Sequence, residues 1–316
     1  MNRRETVTEH ESFSLIHFHN GTEMPEHPSP EIKHYQNIRD WRVIMEKSAD
    51  LSPMVYALEE AIGEAVAKEE VPATLRIWQG PRAIVVSKKD IRTQQAQQAA
   101  SWMKEVDWPV YVRQSGGTAV PHGPGTLNLS LFLPRPKKLT WNIDTVYKML
   151  GLPLMHMLKD TFSLDSYFGE VPGSFCDGRY NVVVQGKKIV GTSQVWKGGP
   201  AGLQSRQPGY ILAHATLLTH IDRQQAMSSL NAFYELAEGT RPIYVDTVAT
   251  LASFVTVAPQ ELDQAVLKGL TNSIRKLTGE GAMPVTGPSE EERKRAADFL
   301  GNCFPESYQP QVKERT

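Results

Sequence analysis

Apolar and polar positions first settle into a regular pattern at Trp41. Ser52-Pro53 offers an N-cap followed by proline in the first turn, and Val55, Leu58, Ile62, Ala65 and Val66 then recur at helical spacing as far as Lys68. Beyond Pro72 the period changes. Residues 74–78 and 83–86 are apolar, branched runs joined across Gly80-Pro81, which predicts two strands and a turn. A helix over about 91–106 leads to a strand at 110–112, and Leu127, Leu129, Leu131 and Leu133 alternate strictly, as in a strand with one buried face. A helix over 144–159 follows. An apolar strand then turns at Gln185-Gly186 into a second strand headed by Lys187-Lys188, and residues 210–220 form another long, largely apolar strand.

Downstream the signal is helical. Residues 222–238 and, more briefly, 247–254 fit helices, and Leu262, Val266, Leu270, Ile274 and Leu277 form the stripe of a third. Residues 279–288 read as a loop, and 289–300 as a charged helix opened by a capping box at Ser289 and Glu292. A polar tail ends the chain. Residues 1–39 are polar and rich in His and Pro, without sustained periodicity, and read as a peripheral extension. The spacing of His10, His17, His19, His27 and His34 is too irregular for a metal tract, and no metal site is expected.

Composition narrows the class. With 34 Lys+Arg against 35 Asp+Glu the net charge is -1, which leaves no electrostatic footprint for nucleic acid or an acidic membrane. Neither a secretory signal nor a spanning apolar run stands out, and the two cysteines lie far apart, so the expectation is a cytoplasmic protein in a reducing compartment without a disulfide framework.

Chemistry gathers at two places. Cys176 lies among Gly173, Ser174, Asp177 and Gly178, a loop setting just ahead of the hairpin that carries Lys188, so a thiolate nucleophile with a cationic neighbour is in prospect. Lys187 and Lys188 should face opposite sides of their strand. The second place is the segment from Arg113 to Gly125, RQSGGTAVPHGPG, which lacks the spacing of a nucleotide-binding loop. Its glycines let a substrate approach the backbone, and amides around Gly116 to Ala119 are candidates to hold an oxyanion. Leu75, Ile77, Ala119 and Val190 are candidates to line an acyl slot. His214 reads as a hydrogen-bonded strand histidine, and Cys303 as structural.

These segments resemble a known family. Arg113 to Val120 is similar to the R-x-S-G-G-x-A-V signature of the lipoate-protein ligase and lipoyl/octanoyl transferase superfamily, and His122 to Gly125 to its H-G-P-G motif. Gly186 to Gln194 resembles the strand that carries the family's lysine, which maps onto Lys188. Gly173 to Asn181 resembles the segment with the catalytic cysteine in the branch that moves octanoyl groups between lipoyl-domain proteins. The resemblance covers roughly residues 41–255. It implies an α/β (α+β) fold of mixed sheets flanked by helices, divided into an extension (1–39), one catalytic domain (40–256) and a C-terminal helical extension with tail (257–316). It also implies Cys176 and Lys188 as catalytic, and Arg113, Ser115, Gly116, Gly117, Thr118, Ala119, His122 and Gly191 as substrate-binding. The implied reaction needs no cofactor: an octanoyl or lipoyl group passes from the glycine cleavage H protein to acyltransferase subunits of 2-oxoacid dehydrogenases. Other branches imply an acyl-carrier-protein donor or ATP-dependent ligation, and a silent lipoyl-domain binder would keep the same fold.

Overall fold

The structure, a computed structural model, describes residues 30–46, 52–138, 141–239, 242–279 and 285–308. The first elements are α1 (Pro30–Asn37), β1 (Trp41–Met45), α2 (Met54–Ala67), β2 (Ala73–Trp78), β3 (Ala83–Ser87), α3 (Gln94–Glu105), β4 (Val110–Arg113), β5 (Val120–His122) and β6 (Thr126–Pro134). They are followed by α4 (Ile143–Phe162), β7 (Tyr167–Gly169), β8 (Asn181–Val184), β9 (Lys187–Lys197), β10 (Tyr210–Leu218), α5 (Arg223–Leu236), α6 (Pro259–Thr278), β11 (Val285–Thr286) and α7 (Glu290–Phe299). Among the described residues an eight-stranded sheet runs β11-β1-β2-β6-β10-β9-β8-β7, and a three-stranded sheet runs β4-β3-β5. Both sheets are mixed: β1 pairs in parallel with β2, and β3 with β4, while β2, β6, β10 and β9 are antiparallel neighbours. This is the α/β architecture of mixed sheets and flanking helices that the sequence implied.

The large sheet buries both faces. Leu127, Leu129, Leu131 and Leu133 point into the main core with Leu75, Ile77 and the inner sides of α4 and α6. The opposite face of β6, expected to meet solvent, carries Thr126, Asn128 and Ser130, and these are buried too. Asn128 faces a slot between the sheets, whose other wall includes Val85, Val112 and Val120, and Ser130 is bonded to Trp78 and Glu59. A polar residue on a strand face thus signals an internal polar surface here.

Caps confirm several boundaries. Thr93, Asn142, Asp222 and Ser289 accept from backbone amides at the starts of α3, α4, α5 and α7, and Ser289 with Glu292 forms the expected capping box. Three segments differ from expectation. Within the polar N-terminal stretch, α1 buries Ile32 and Tyr35 in the main core, where Tyr35 stacks on Trp41 and donates to the Met149 carbonyl at 2.8 Å. Two apolar residues in so short a helix give no readable period. Residues 247–254 form 3-10 turns at Val245–Thr247 and Leu251–Ser253 because Val248 bridges Lys188 and the Ala249 amide donates to the Lys188 carbonyl at 2.9 Å. Val285–Thr286, in the expected loop, extends the sheet beside β1. Four histidines of the N-terminal tract and the tail from residue 309 lie outside the described residues.

A charged cluster ties α2 to the polar sheet face. Arg76 is fully buried and donates to Glu59 at 2.7 Å, to the Val55 carbonyl at 2.8 Å and to Glu46 at 2.5 Å, and it stacks over Trp78. Burial would raise the Glu59 pKa, but hydrogen bonds with His214 and the Arg76 charge outweigh it and hold the carboxyl below its ordinary range. Arg76→Met leaves two carboxylates without their cation and is expected to cost about 3–5 kcal/mol in urea unfolding; a loss under about 1 kcal/mol would show the pairing to be dispensable.

Candidate active site

Cys176 sits on the loop between β7 and β8 in a left-handed conformation, φ 45°, which costs a non-glycine residue about 1–3 kcal/mol and must be held from outside. Its amide donates to Thr118 Oγ1 at 2.7 Å, which fastens the cysteine loop to the glycine loop. Its carbonyl collects three donors: Lys188 Nζ at 2.9 Å, Asn181 Nδ2 at 2.7 Å and the Gly178 amide at 2.9 Å. The half-buried sulfur faces Gly117, where an added Cβ would lie 2.6 Å from Cys176 Sγ and 3.1 Å from an Arg113 nitrogen. Only glycine leaves room for the thiol there, and at φ 89° only glycine is relaxed.

Lys188 is fully buried below this loop, whereas Lys187 on the other side of β9 is partly exposed. The ammonium also donates to the Phe175 carbonyl and lies 3.9 Å from the centre of the Phe175 ring. Burial lowers its pKa to about 7, against the pull of Cys176 and Asp177 toward the charged form and with a smaller push from Arg113. Gly191 borders the same space, since a Cβ there would come within 3.4 Å of Lys188 Nζ.

Arg113 turns its donors inward, to the carbonyls of Val85 at 2.6 Å, Gly116 at 2.7 Å and Thr118 at 2.7 Å. It therefore shapes the glycine loop, and Ser193 adds a bond to the Gly116 carbonyl at 2.9 Å. The expected oxyanion amides need one correction: the Ala119 amide is already bonded to the Tyr234 hydroxyl at 2.6 Å. Ser115 meets His214 Nε2 at 2.6 Å, and His214 Nδ1 stands 3.5 Å from Glu59, so His214 is hydrogen-bonded as expected and also lines the slot. His122 lies farther in, between Tyr56 and Thr216, and burial followed by the nearby charges of His214 and Arg113 lowers its pKa to about 3. Cys303 borders the slot with its thiol pushed up to about 12 by burial and by Glu60 and Glu59.

The slot runs from Cys176, Gly191 and Thr192 past Val85, Val112, Val120 and Leu212 to Tyr56, Trp78, Asn128 and Thr216, with about 650 Å³ of empty space counted to its open mouth. The expected lining of Leu75, Ile77, Ala119 and Val190 is not what the fold places there. Leu75, Ile77 and Val190 point to the opposite sheet face and Ala119 packs under α5. Periodicity identifies two faces of a strand without saying which meets a ligand. Asn181, Glu59, Trp78 and Asn128 were missed, although a Glu inside an apolar helix and an Arg inside an apolar strand were signals for a buried polar network. Among the described residues no group of His, Cys, Asp and Glu has the geometry of a metal site, and no helix is long and apolar enough to cross a membrane.

Comparison with known proteins assigns the chain a family and a fold. The family profile of the lipoyl protein ligase A/B catalytic domain matches residues 53–271. An octanoyl-[GcvH]:protein N-octanoyltransferase of Kyrpidia tusciae is 45% identical over 204 residues, 64% of this chain and 69% of that protein. One of the same name from Geobacillus kaustophilus is 28% identical over 250 residues, 76% and 83% of the two chains. The fold is shared with a crystal structure of lipoate-protein ligase A bound with ATP, at TM-score 0.62 and 20% identity, over 83% of this chain and 94% of that one. The chain belongs to the lipoyl protein ligase A/B catalytic domain family. Within it, the chain is an acyltransferase homologous to the octanoyl-[GcvH]:protein N-octanoyltransferases.

Two outcomes follow from the site. Gly117→Ala should displace the sulfur from its seat and lower acyl transfer by about 100-fold with the fold intact by circular dichroism; unchanged transfer would separate Gly117 from the chemistry. For Lys188, the unfolded chain holds a proton that the native state releases between pH about 7 and the ordinary 10.5. Stability therefore rises with pH across that window. Denaturant midpoints should show this rise in the wild type and a smaller one in Lys188→Met; parallel curves would refute the lowered pKa.

Proposed function

We propose that the protein moves an octanoyl or lipoyl group from the lysine of one lipoyl-domain protein to that of another, with Cys176 as the covalent carrier. The observation that carries this reading is the seat of the Cys176 sulfur against Gly117, at the mouth of an apolar slot and above a desolvated lysine. In the first half the sulfur attacks the acyl-lysine amide of the donor. The S–C bond forms, the C–N bond breaks, the leaving amine takes a proton, and the acyl group stays as a thioester. In the second half an acceptor lysine amine attacks the thioester, and Cys176 regains its proton as the thiol is released.

Lys188 is suited to the proton traffic. With a pKa of about 7 it is present in both protonation states near neutral pH, which a general acid for one half-reaction and base for the other requires. With the Ala119 amide engaged by Tyr234, the amides of Gly117 and Thr118 are the candidates to hold the oxyanion. Thioester formation from an amide is uphill, so slot contacts with the acyl chain must support it. The relatives' names point to the glycine cleavage H protein as donor, and the expected acceptors are acyltransferase subunits of 2-oxoacid dehydrogenases. Amide is exchanged for amide overall, so the scheme consumes no nucleotide.

Incubation with octanoylated H protein, followed by intact-mass spectrometry, should show one octanoyl adduct that is absent in Cys176→Ser and that disappears when a lipoyl domain is added. No adduct on the wild type, or an undiminished one in Cys176→Ser, would sink the covalent scheme. Octanoyl carrier protein, and free octanoate with ATP, offered in parallel should load the enzyme far more slowly.

A further inference from the structure

The pocket face of the large sheet carries an ordered row of residues. Pairing sets Trp78 of β2 opposite Asn128 of β6, Asn128 opposite Thr216 of β10, and Thr216 opposite Gly191 of β9. Adjacent strands lie about 4.8 Å apart, so Asn128 stands about 10 Å from Gly191, across two strand spacings. Gly191 borders Lys188 below the cysteine loop, and Asn128 marks the inner part of the slot.

Asn128 also ends a one-way chain of hydrogen bonds. Thr216 Oγ1 donates to Asn128 Oδ1 at 2.7 Å, so its oxygen accepts from His122 Nε2 at 3.2 Å. A neutral imidazole has a single N–H, and His122 is kept neutral by its burial. Its Nδ1 is therefore bare and accepts a hydrogen bond from the Tyr56 hydroxyl at 3.3 Å. With the Asn128 oxygen turned to Thr216, the amide nitrogen is left over. Asn128 is 2% exposed, lines the slot, and its Nδ2 has no hydrogen-bond partner among the described residues. A buried donor left unmade carries the full desolvation penalty. Arg76, stacked over Trp78, is the cation at this end and is already paired with Glu59 and Glu46.

We propose that the inner end of the slot is a subsite for a neutral hydrogen-bond acceptor, an oxygen or sulfur carried near the distal end of the acyl chain, with Asn128 as the residue that selects for it. This rests on the reading of the slot as the acyl site. An all-carbon chain fills the same length and leaves Nδ2 unsatisfied, whereas an acceptor-bearing chain completes the row.

The test is a competition in one tube. Two H-protein donors, one carrying octanoyl and one carrying 7-oxo-octanoyl on the lysine, are mixed at equal concentration with the enzyme and a lipoyl-domain acceptor, and intact mass gives the product ratio. The wild type is expected to favour the 7-oxo chain by roughly tenfold, the worth of one net hydrogen bond. Asn128→Leu should bring the ratio to one or below, and a ratio is immune to general loss of activity. A wild-type ratio near one, as when a water serves the amide equally with either chain, overturns the proposal, and so does a preference that survives in Asn128→Leu. Should neither donor be used, the transferase reading fails by itself. The subsite is then judged by thermal shifts with free octanoate and 7-oxo-octanoate, where an equal shift from the two acids overturns it.

Discussion

A buried ammonium needs acceptors within reach, and Lys188 finds them in the carbonyls of Phe175 and Cys176. Much of the site's geometry hangs on that need. The Cys176 carbonyl is turned down toward Lys188 and Asn181, and the residue adopts its left-handed φ. Its amide is turned toward Thr118, and its sulfur is left against the glycine loop. The lysine thus acts on the cysteine first by holding its main chain. Its charge, made costly by desolvation, is then poised to be given up near neutral pH. In the proposed mechanism the same contact serves both position and proton transfer.

The glycine loop answers the same constraint from the other side. Arg113 spends its donors on the Val85, Gly116 and Thr118 carbonyls, which curl the loop so that Gly117 meets the sulfur. Ser115, His214, Glu59 and Arg76 continue this polar packing across the sheet to α2. Such a network is costly to bury, and its members are close to fully satisfied. The rigidity it confers pre-orders the walls of the slot, and ordering done on folding need not be repeated on binding.

Local chemistry was legible in the chain. A capping box placed the start of α7, the turn at Gln185-Gly186 placed the β8–β9 hairpin, and the motifs around Arg113 and Cys176 named the two loops that meet. Legibility stopped where a strand has two buried faces. Leu75 and Ile77 looked as suitable for the slot as any apolar pair, yet their face packs on α4 and α6 while Thr74, Arg76 and Trp78 turn the other way. The helix α1 was illegible for a different reason: two buried side chains in eight residues do not make a period.

The sequence by itself determined what depends on neighbours along the chain: helix and strand periods, caps, turns, and the presence of a cysteine just ahead of the hairpin that carries a lysine. Only the tertiary structure decided what depends on partners far along it. Cys176 is bound to Thr118, Arg76 to Glu59, and His122 to Tyr56 and Thr216, and each pairing joins segments that no local period links. Hydrophobic alternation encodes that a face is buried, because water is excluded from it. It does not encode against what, because that is set by how the sheets and helices stack.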